Sequence, residues 1–207
     1  MPYIAGTIQP AGDAAVRCPR CWFTGPFTPY AALALRCSRC EWPFTLAAST
    51  PPAPAVPAST VAVTNSSGSP MAVTLSTFTL TFVFVNGVQA GTTNATYYVP
   101  AGGSISVTYT VAGTWSWALL TTNGALSAGA TALPVAAGGT AFAFGQVLII
   151  DPAGVSDVVT VNGTPGATSI PVTAVNAAHA SGKSITVAQF APALSGTGLE
   201  GVPANAY

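Results

Sequence analysis

From residue 60 to residue 117 the chain alternates between apolar and polar positions with a period of two. Val61 and Val63, then Val73 and Leu75, then Phe78, Leu80, Phe82 and Phe84 stand on every second position, with threonine between most of them. Ile105, Val107 and Tyr109 resume the pattern, and Trp115 and Trp117 share one face. Such alternation predicts strands with one buried side. Asn86-Gly87 predicts a hairpin turn, because both residues tolerate positive φ, and Gly102-Gly103 predicts a second turn. The apolar runs Phe82-Val83-Phe84-Val85 and Val147-Leu148-Ile149-Ile150 have strand length, well short of the roughly 20 residues of a membrane-spanning helix.

The pattern changes at both ends of that region. Residues 118–190 carry an internal repeat: Gly129-Ala130-Thr131-Ala132-Leu133-Pro134-Val135 returns 37 residues later as Gly166-Ala167-Thr168-Ser169-Ile170-Pro171-Val172. Two copies are too few for a solenoid and predict two similar β-units packed as a pair. Pro134 and Pro171 lack an N–H and belong at edges or bulges. Residues 48–59 form a Pro-rich linker, expected to be an extended, semi-rigid spacer. Residues 191–207 are rich in Gly, Pro and Ala and read as a tail that orders against a partner. The expected fold is mainly β. A zinc ribbon (1–47) and the linker (48–59) precede a β-sandwich-like domain (60–117), a second sandwich- or barrel-like β-module (118–190) and an extended C-terminal tail (191–207).

Residues 1–47 hold all four cysteines and four of the five basic residues, with Tyr3, Trp22, Phe23, Phe27, Tyr30, Trp42 and Phe44. The spacing is Cys18-x2-Cys21, fifteen residues, then Cys37-x2-Cys40. A two-residue gap lets one tight turn present two thiolates to one ion, and the intervening residues can fold back to bring the second pair across. Zinc takes four ligands at tetrahedral corners, about 2.3 Å from each sulfur, so Cys18, Cys21, Cys37 and Cys40 would fill the shell and leave no open position for catalysis. The expected Zn2+ is therefore structural. It can supply on the order of 10–16 kcal/mol to a mini-domain too small to hold itself by core burial. Arg17, Arg20, Arg36 and Arg39 flank the cysteines and can offset the net charge of four thiolates on zinc. Two other readings are weaker. No thioredoxin-like βαβ pattern surrounds the Cys-x-x-Cys pairs. Four arginines against Asp13 and Glu41 fall short of the broad basic patch of a nucleic-acid binder.

Composition narrows the function. Of 207 residues 50% are hydrophobic and only 5% charged, against about 25% in an ordinary soluble domain, and the formal net charge is zero. Such a chain has little electrostatic protection against association and suits a protein packed against partners. The opening Met-Pro-Tyr-Ile-Ala-Gly has neither a basic stretch nor an apolar core. A secretory signal is not expected, and synthesis in a reducing cytoplasm favours metal ligation over disulfides.

Groups that could do chemistry are scarce. The one histidine, His179, falls in a predicted loop and reads as solvated or hydrogen-bonding. Asp151, before Pro152, reads as a turn residue. Asp151 and Asp157 together are few for calcium, which wants six to eight oxygens. Asn65-Ser66-Ser67, Asn94-Ala95-Thr96 and Asn162-Gly163-Thr164 match glycosylation sequons, as chance allows in a Ser/Thr-rich chain. With no cooperating titratable groups, the chain is not expected to be an enzyme.

Two stretches carry a resemblance. Val61 to Gly68, together with Val99 to Tyr109, resembles β-domains in virion proteins of tailed phages that infect Actinobacteria. Gly129–Val135, Phe144–Asp151, Val158–Val172 and Ala178–Gly182 resemble a β-module of phage capsid-decoration, head-fibre and tail proteins. Together they cover about two-thirds of the chain. The N-terminal ribbon departs from a simple decoration domain and leaves a connector or tail part open. The resemblance implies no catalytic residues. It implies a virion structural protein made in the host cytoplasm, on the outside of the head as a capsid decoration or minor capsid protein. Its expected partners are the major capsid protein and other copies of itself, with no membrane and no nucleic acid. The alternatives are a tail or fibre protein contacting host glycans and a zinc-ribbon nucleic-acid-binding protein.

Overall fold

The computed structural model describes residues 27–31, 34–37, 39, 43–48, 51–52 and 54–191. Among these the chain is almost wholly β. In order, the strands are β1 (Phe27–Ala31), β2 (Ala34–Cys37), β3 (Pro43–Ala47), β4 (Ala62–Thr64), β5 (Met71–Ser76), β6 (Thr79–Val85), β7 (Val88–Gly91), β8 (Thr96–Val99), β9 (Ser104–Val111), β10 (Thr114–Thr121), β11 (Ala132–Pro134), β12 (Val147–Ile150), β13 (Asp157–Thr160), β14 (Ser169–Pro171), β15 (Ser184–Val187) and β16 (Gln189–Ala191). One 3-10 turn, Gly139–Ala141, interrupts them. Every strand pair is antiparallel. Mainly β is thus the observed class. The four sheets run β1-β2-β3-β16, β13-β12-β15-β10-β5-β8, β11-β14 and β4-β9-β6-β7.

Two hydrophobic clusters fill the body. The first gathers Met71, Val73, Leu75, Phe78, Val83, Val99, Ile105, Val107 and Trp117 between the β5-β8-β10 and β4-β9-β6-β7 layers. The second gathers Leu120, Leu133, Leu148, Ile150, Val159, Ile170, Val172 and Ile185. Strand β10 serves both. Thr114 to Leu119 pair with β5, and Leu120 and Thr121 pair with β15, so one strand runs through residues 117 and 118 from the first cluster into the second. Other contacts tie the halves together. The Ser69 hydroxyl meets the Thr186 hydroxyl at 2.9 Å and accepts from Val187 N at 2.7 Å, and neither Ser69 nor Thr186 is exposed. Tyr98, on β8, packs against the second cluster, with its ring where a side chain on Gly138 (φ 79°) would have to lie.

Period two holds along most strands but breaks inside β6. Phe78 and Leu80 face the first core as the alternation predicts. Beyond them the register against β9 slips: Leu80 lies opposite Tyr109 and Phe82 opposite Thr108, so Thr81 is an extra residue. Such a β-bulge switches the set of residues that points inward. Val83 is fully buried, whereas Phe82 is 39% exposed and touches Phe84 ring to ring at 6.0 Å. The expected continuous face of four apolar side chains is therefore split between core and surface. The Asn86-Gly87 turn forms as predicted, with φ of 53° and 77° closing the β6–β7 hairpin.

The Pro-rich segment differs from a free spacer over its second half. Pro54 O accepts from Trp115 Nε1 at 2.8 Å, Pro57 O accepts from the Tyr109 hydroxyl at 2.7 Å, and Thr60 N donates to Val107 O at 2.8 Å. Val56 packs on the first core. The physical reason is that prolines keep their carbonyl acceptors while losing the N–H. A Pro-rich strand can therefore be fastened by aromatic donors on the surface it crosses.

The repeat is built as a pair of facing units. In the β11–β14 ladder Leu133 stands opposite Ile170, and in the β12–β15 ladder Ile149 stands opposite Thr186. In both ladders these central partners are 37 positions apart, which is the signature of a local two-fold. The backbone bonds repeat accordingly: Val135 N donates to Thr168 O and Val172 N to Thr131 O, while Gly145 N donates to Val161 O and Gly182 N to Thr122 O. The end of β10, β11 and β12 form one unit, and β13, β14 and β15 the other. Pro134 and Pro171 each end their strand, and their carbonyls accept from Asn123 N and Asn162 N.

Candidate functional site

Cys18, Cys21 and Cys40 lie outside the described residues. Cys37 is described as the last residue of β2, where the ladder sets it opposite Phe27 at the start of β1. Phe27 follows Cys21 by six positions. The β1–β2 register therefore sets Cys37 at the open end of that hairpin. The β2–β3 ladder pairs Arg36 with Pro43, so the second Cys-x-x-Cys falls at the link between those two strands. Among the described residues no three His, Cys, Asp or Glu side chains cluster as metal ligands would.

The acidic, basic and histidine residues of the β body are Asp151, Asp157, His179 and Lys183, since residues 42–150 contain no Asp, Glu, Lys, Arg or His at all. They form two pairs. Asp157 begins β13 and is 3% exposed. One of its oxygens accepts from Asn176 N at 2.6 Å and Ala177 N at 2.9 Å, and the other accepts from Asn176 Nδ2 at 2.7 Å. His179 Nε2 lies 3.5 Å from Asp157, with side-chain exposures of 1% and 2%. Of the two roles its loop setting suggested, the histidine thus takes the hydrogen-bonding one, buried and not solvated. Its N–H and C=O exchange hydrogen bonds with Leu126, which draws the loop inward. A buried carboxylate needs such donors, because desolvation without them is expensive. Buried at this depth, the pair fastens the loop of residues 176–179 to the start of β13.

Asp151 and Lys183 form the second pair, 3.0 Å apart. Asp151 has φ 51° and its carbonyl accepts from Gly154 N, so it takes the turn role expected of it. Gly154 leaves room for the carboxylate: a Cβ there would lie 2.5 Å from Asp151 Oδ2. The two aspartates are held by different partners and do not converge on a common point of attachment.

Three asparagines do the corresponding work elsewhere, and sequence reasoning missed them because their partners are distant in the chain. Asn65 has no exposure. Its Nδ2 faces the carbonyls of Ser69, Val99 and Pro100 at 2.8 to 3.1 Å, and its Oδ1 accepts from Ser67 N and the Ser67 hydroxyl. Asn94 brackets Phe78, accepting from its N–H and donating to its carbonyl. Asn86 Oδ1 accepts from Ser104 N. At Asn65 the amide is thus buried and engaged inside the fold, and at the exposed Asn94 it is held by the backbone of Phe78, which agrees with reading these sequons as chance matches. Comparison with family models, with curated proteins and with solved structures finds no match. Among the described residues no helix is long and apolar enough to cross a membrane.

Proposed function

We propose that this chain is a non-enzymatic structural protein of a tailed-phage particle, a capsid decoration or minor capsid protein seated on the outside of the head against the major capsid protein and other copies of itself. The observation that carries the reading is the near-absence of free charge on a folded body. Residues 42–150 have none, and of the five acidic, basic or histidine residues beyond them Asp157 and His179 form a buried pair and Asp151 and Lys183 an ion pair, which leaves Glu200 near the end of the sequence. A surface of this kind pays little desolvation on contact and gains little protection from charge repulsion when alone, so it suits permanent packing. The sequence resemblance to virion β-modules points the same way. Zinc held by Cys18, Cys21, Cys37 and Cys40 belongs to the same proposal. The ion would cross-link the ribbon, and the β1–β2 register at Cys37 supports it.

The test is to strip purified heads of the protein and add it back. Saturable rebinding at a fixed ratio to the major shell protein is expected. Binding only to nucleic acid, with the steep salt dependence of phosphate contacts, would point instead to the zinc-ribbon alternative. A second reading, a tail or fibre part contacting host glycans, draws on one feature: the outward Phe82–Phe84 pair lies opposite Thr108 and Ser106, an aromatic and hydroxyl surface able to stack on a neutral sugar. Glycan-array binding that Phe82→Thr removes would favour it over the head.

A further inference from the structure

We propose that the cysteine ribbon and the strand that ends the β body are one cooperative unit, so that zinc holds residues 189–191 in place and sets where the chain beyond Ala191 leaves the molecule. This rests on the zinc reading above and extends it to the opposite end of the chain. The observation is the strand order β1-β2-β3-β16. Gln189, Phe190 and Ala191 pair with Ala47, Leu46 and Thr45 of β3, although more than 140 residues separate the two strands in sequence.

A strand of three residues cannot hold itself. Ordering each residue costs about 1–2 kcal/mol of backbone entropy, while a hydrogen bond returns only about 1 kcal/mol net. Ala188 N bonds Val147 O at 2.9 Å, and Gln189 Nε2 donates to Gly68 O at 3.3 Å, so the body holds the approach to the strand. Along its three residues β16 pairs with β3, and its ladder needs β3 to be presented to it. β3 in turn depends on its ladder to β2, where Leu35 faces Phe44 and Arg36 faces Pro43. The link between β2 and β3 carries Cys37 and Cys40, so a metal bound there staples the hairpin on which β16 rests. Coupling of this kind is reciprocal: if zinc orders β16, a paired β16 must tighten zinc.

Hydrogen exchange on the full chain tests the forward direction, with metal content measured beforehand. After zinc is removed with a chelator, the amides of 189–191 are expected to exchange at least about tenfold faster, while those of β12 and β15 keep their protection and report an intact body. Zinc leaving with no change at 189–191 overturns the proposal. A protein purified without zinc overturns it at its premise, and the metal analysis tells that failure from the other. For the reverse direction, Gln189→Pro and Phe190→Pro bracket the ladder, because alternate residues of an antiparallel pair bond across it. At least one of them is expected to lose zinc to a competing chelator about tenfold more readily. Unchanged zinc retention in both variants, with β12 and β15 still protected, would contradict the coupling.

Discussion

The two halves of the β body fasten their loops in different ways. Residues 54–119 use neutral amides: Asn65, Asn86 and Asn94 each reach across to backbone groups of another loop or strand. Residues 120–188 use a local two-fold of paired backbone ladders, and at one end of it a carboxylate, Asp157, gathers Asn176, Ala177 and His179. The two-fold is broken where the charges sit. Counting back 37 positions, His179 and Lys183 correspond to Phe142 and Gln146, neither of which carries a charge. The difference teaches that loop fastening in the first half is done by neutral amides, both buried (Asn65) and exposed (Asn86, Asn94), and that in the second half each carboxylate of the described body has a basic or histidine partner.

Four substitutions would break or sharpen this contrast. The largest effect is expected from Leu133→Ala at the centre of the two-fold. Leu133 is fully buried opposite Ile170, and a cavity there should cost about 3 kcal/mol in urea unfolding. Because β10 serves both cores, a single transition should move; two separate transitions would show that the halves unfold independently. Next comes Asn65→Ala, which removes the buried amide donor facing the carbonyls of Ser69, Val99 and Pro100 and should cost about 2–3 kcal/mol. Asp157→Ala leaves the part-buried Asn176 and Ala177 N–H groups without their acceptor and should cost about 1–2 kcal/mol, with faster amide exchange confined to 176–179. A loss below about 0.5 kcal/mol would mean that the backbone two-fold alone holds that loop. Smallest is Phe82→Thr. Since the Thr81 bulge has already turned the ring outward, stability should change by no more than about 0.5 kcal/mol, and the melting midpoint should barely move.

Much of this architecture could be read from the residues in order. Alternation located the strands of the first half, Asn86-Gly87 located a hairpin, and the Gly129–Val135 repeat announced two units that do pair with each other. What escaped was set by contacts between distant residues. The β6 bulge leaves no mark in an apolar-polar pattern, because Phe82 and Phe84 continue the period while Val83 takes the core. The docking of Pro54 and Pro57 depends on donors at Trp115 and Tyr109, some 50 to 60 residues away. The repeat extends further than its sequence does. Gly145–Ile150 and Gly182–Val187 occupy matching places but share little beyond their glycine and alternate apolar positions, which is all a buried strand requires. Burial of His179 follows from its bridge to Leu126, 53 residues earlier, which a loop-like local sequence conceals.

The central claim is that a body without free charge is a fixture of the particle surface, and the composition of purified particles tests it most directly. Heads should be separated from tails and their proteins quantified by mass spectrometry against the major shell protein. This chain should appear in the head fraction at a constant ratio from one preparation to the next, and limited proteolysis of intact heads should reach it before the shell. Recovery in the tail fraction alone, or only as free protein in the lysate, would contradict the account.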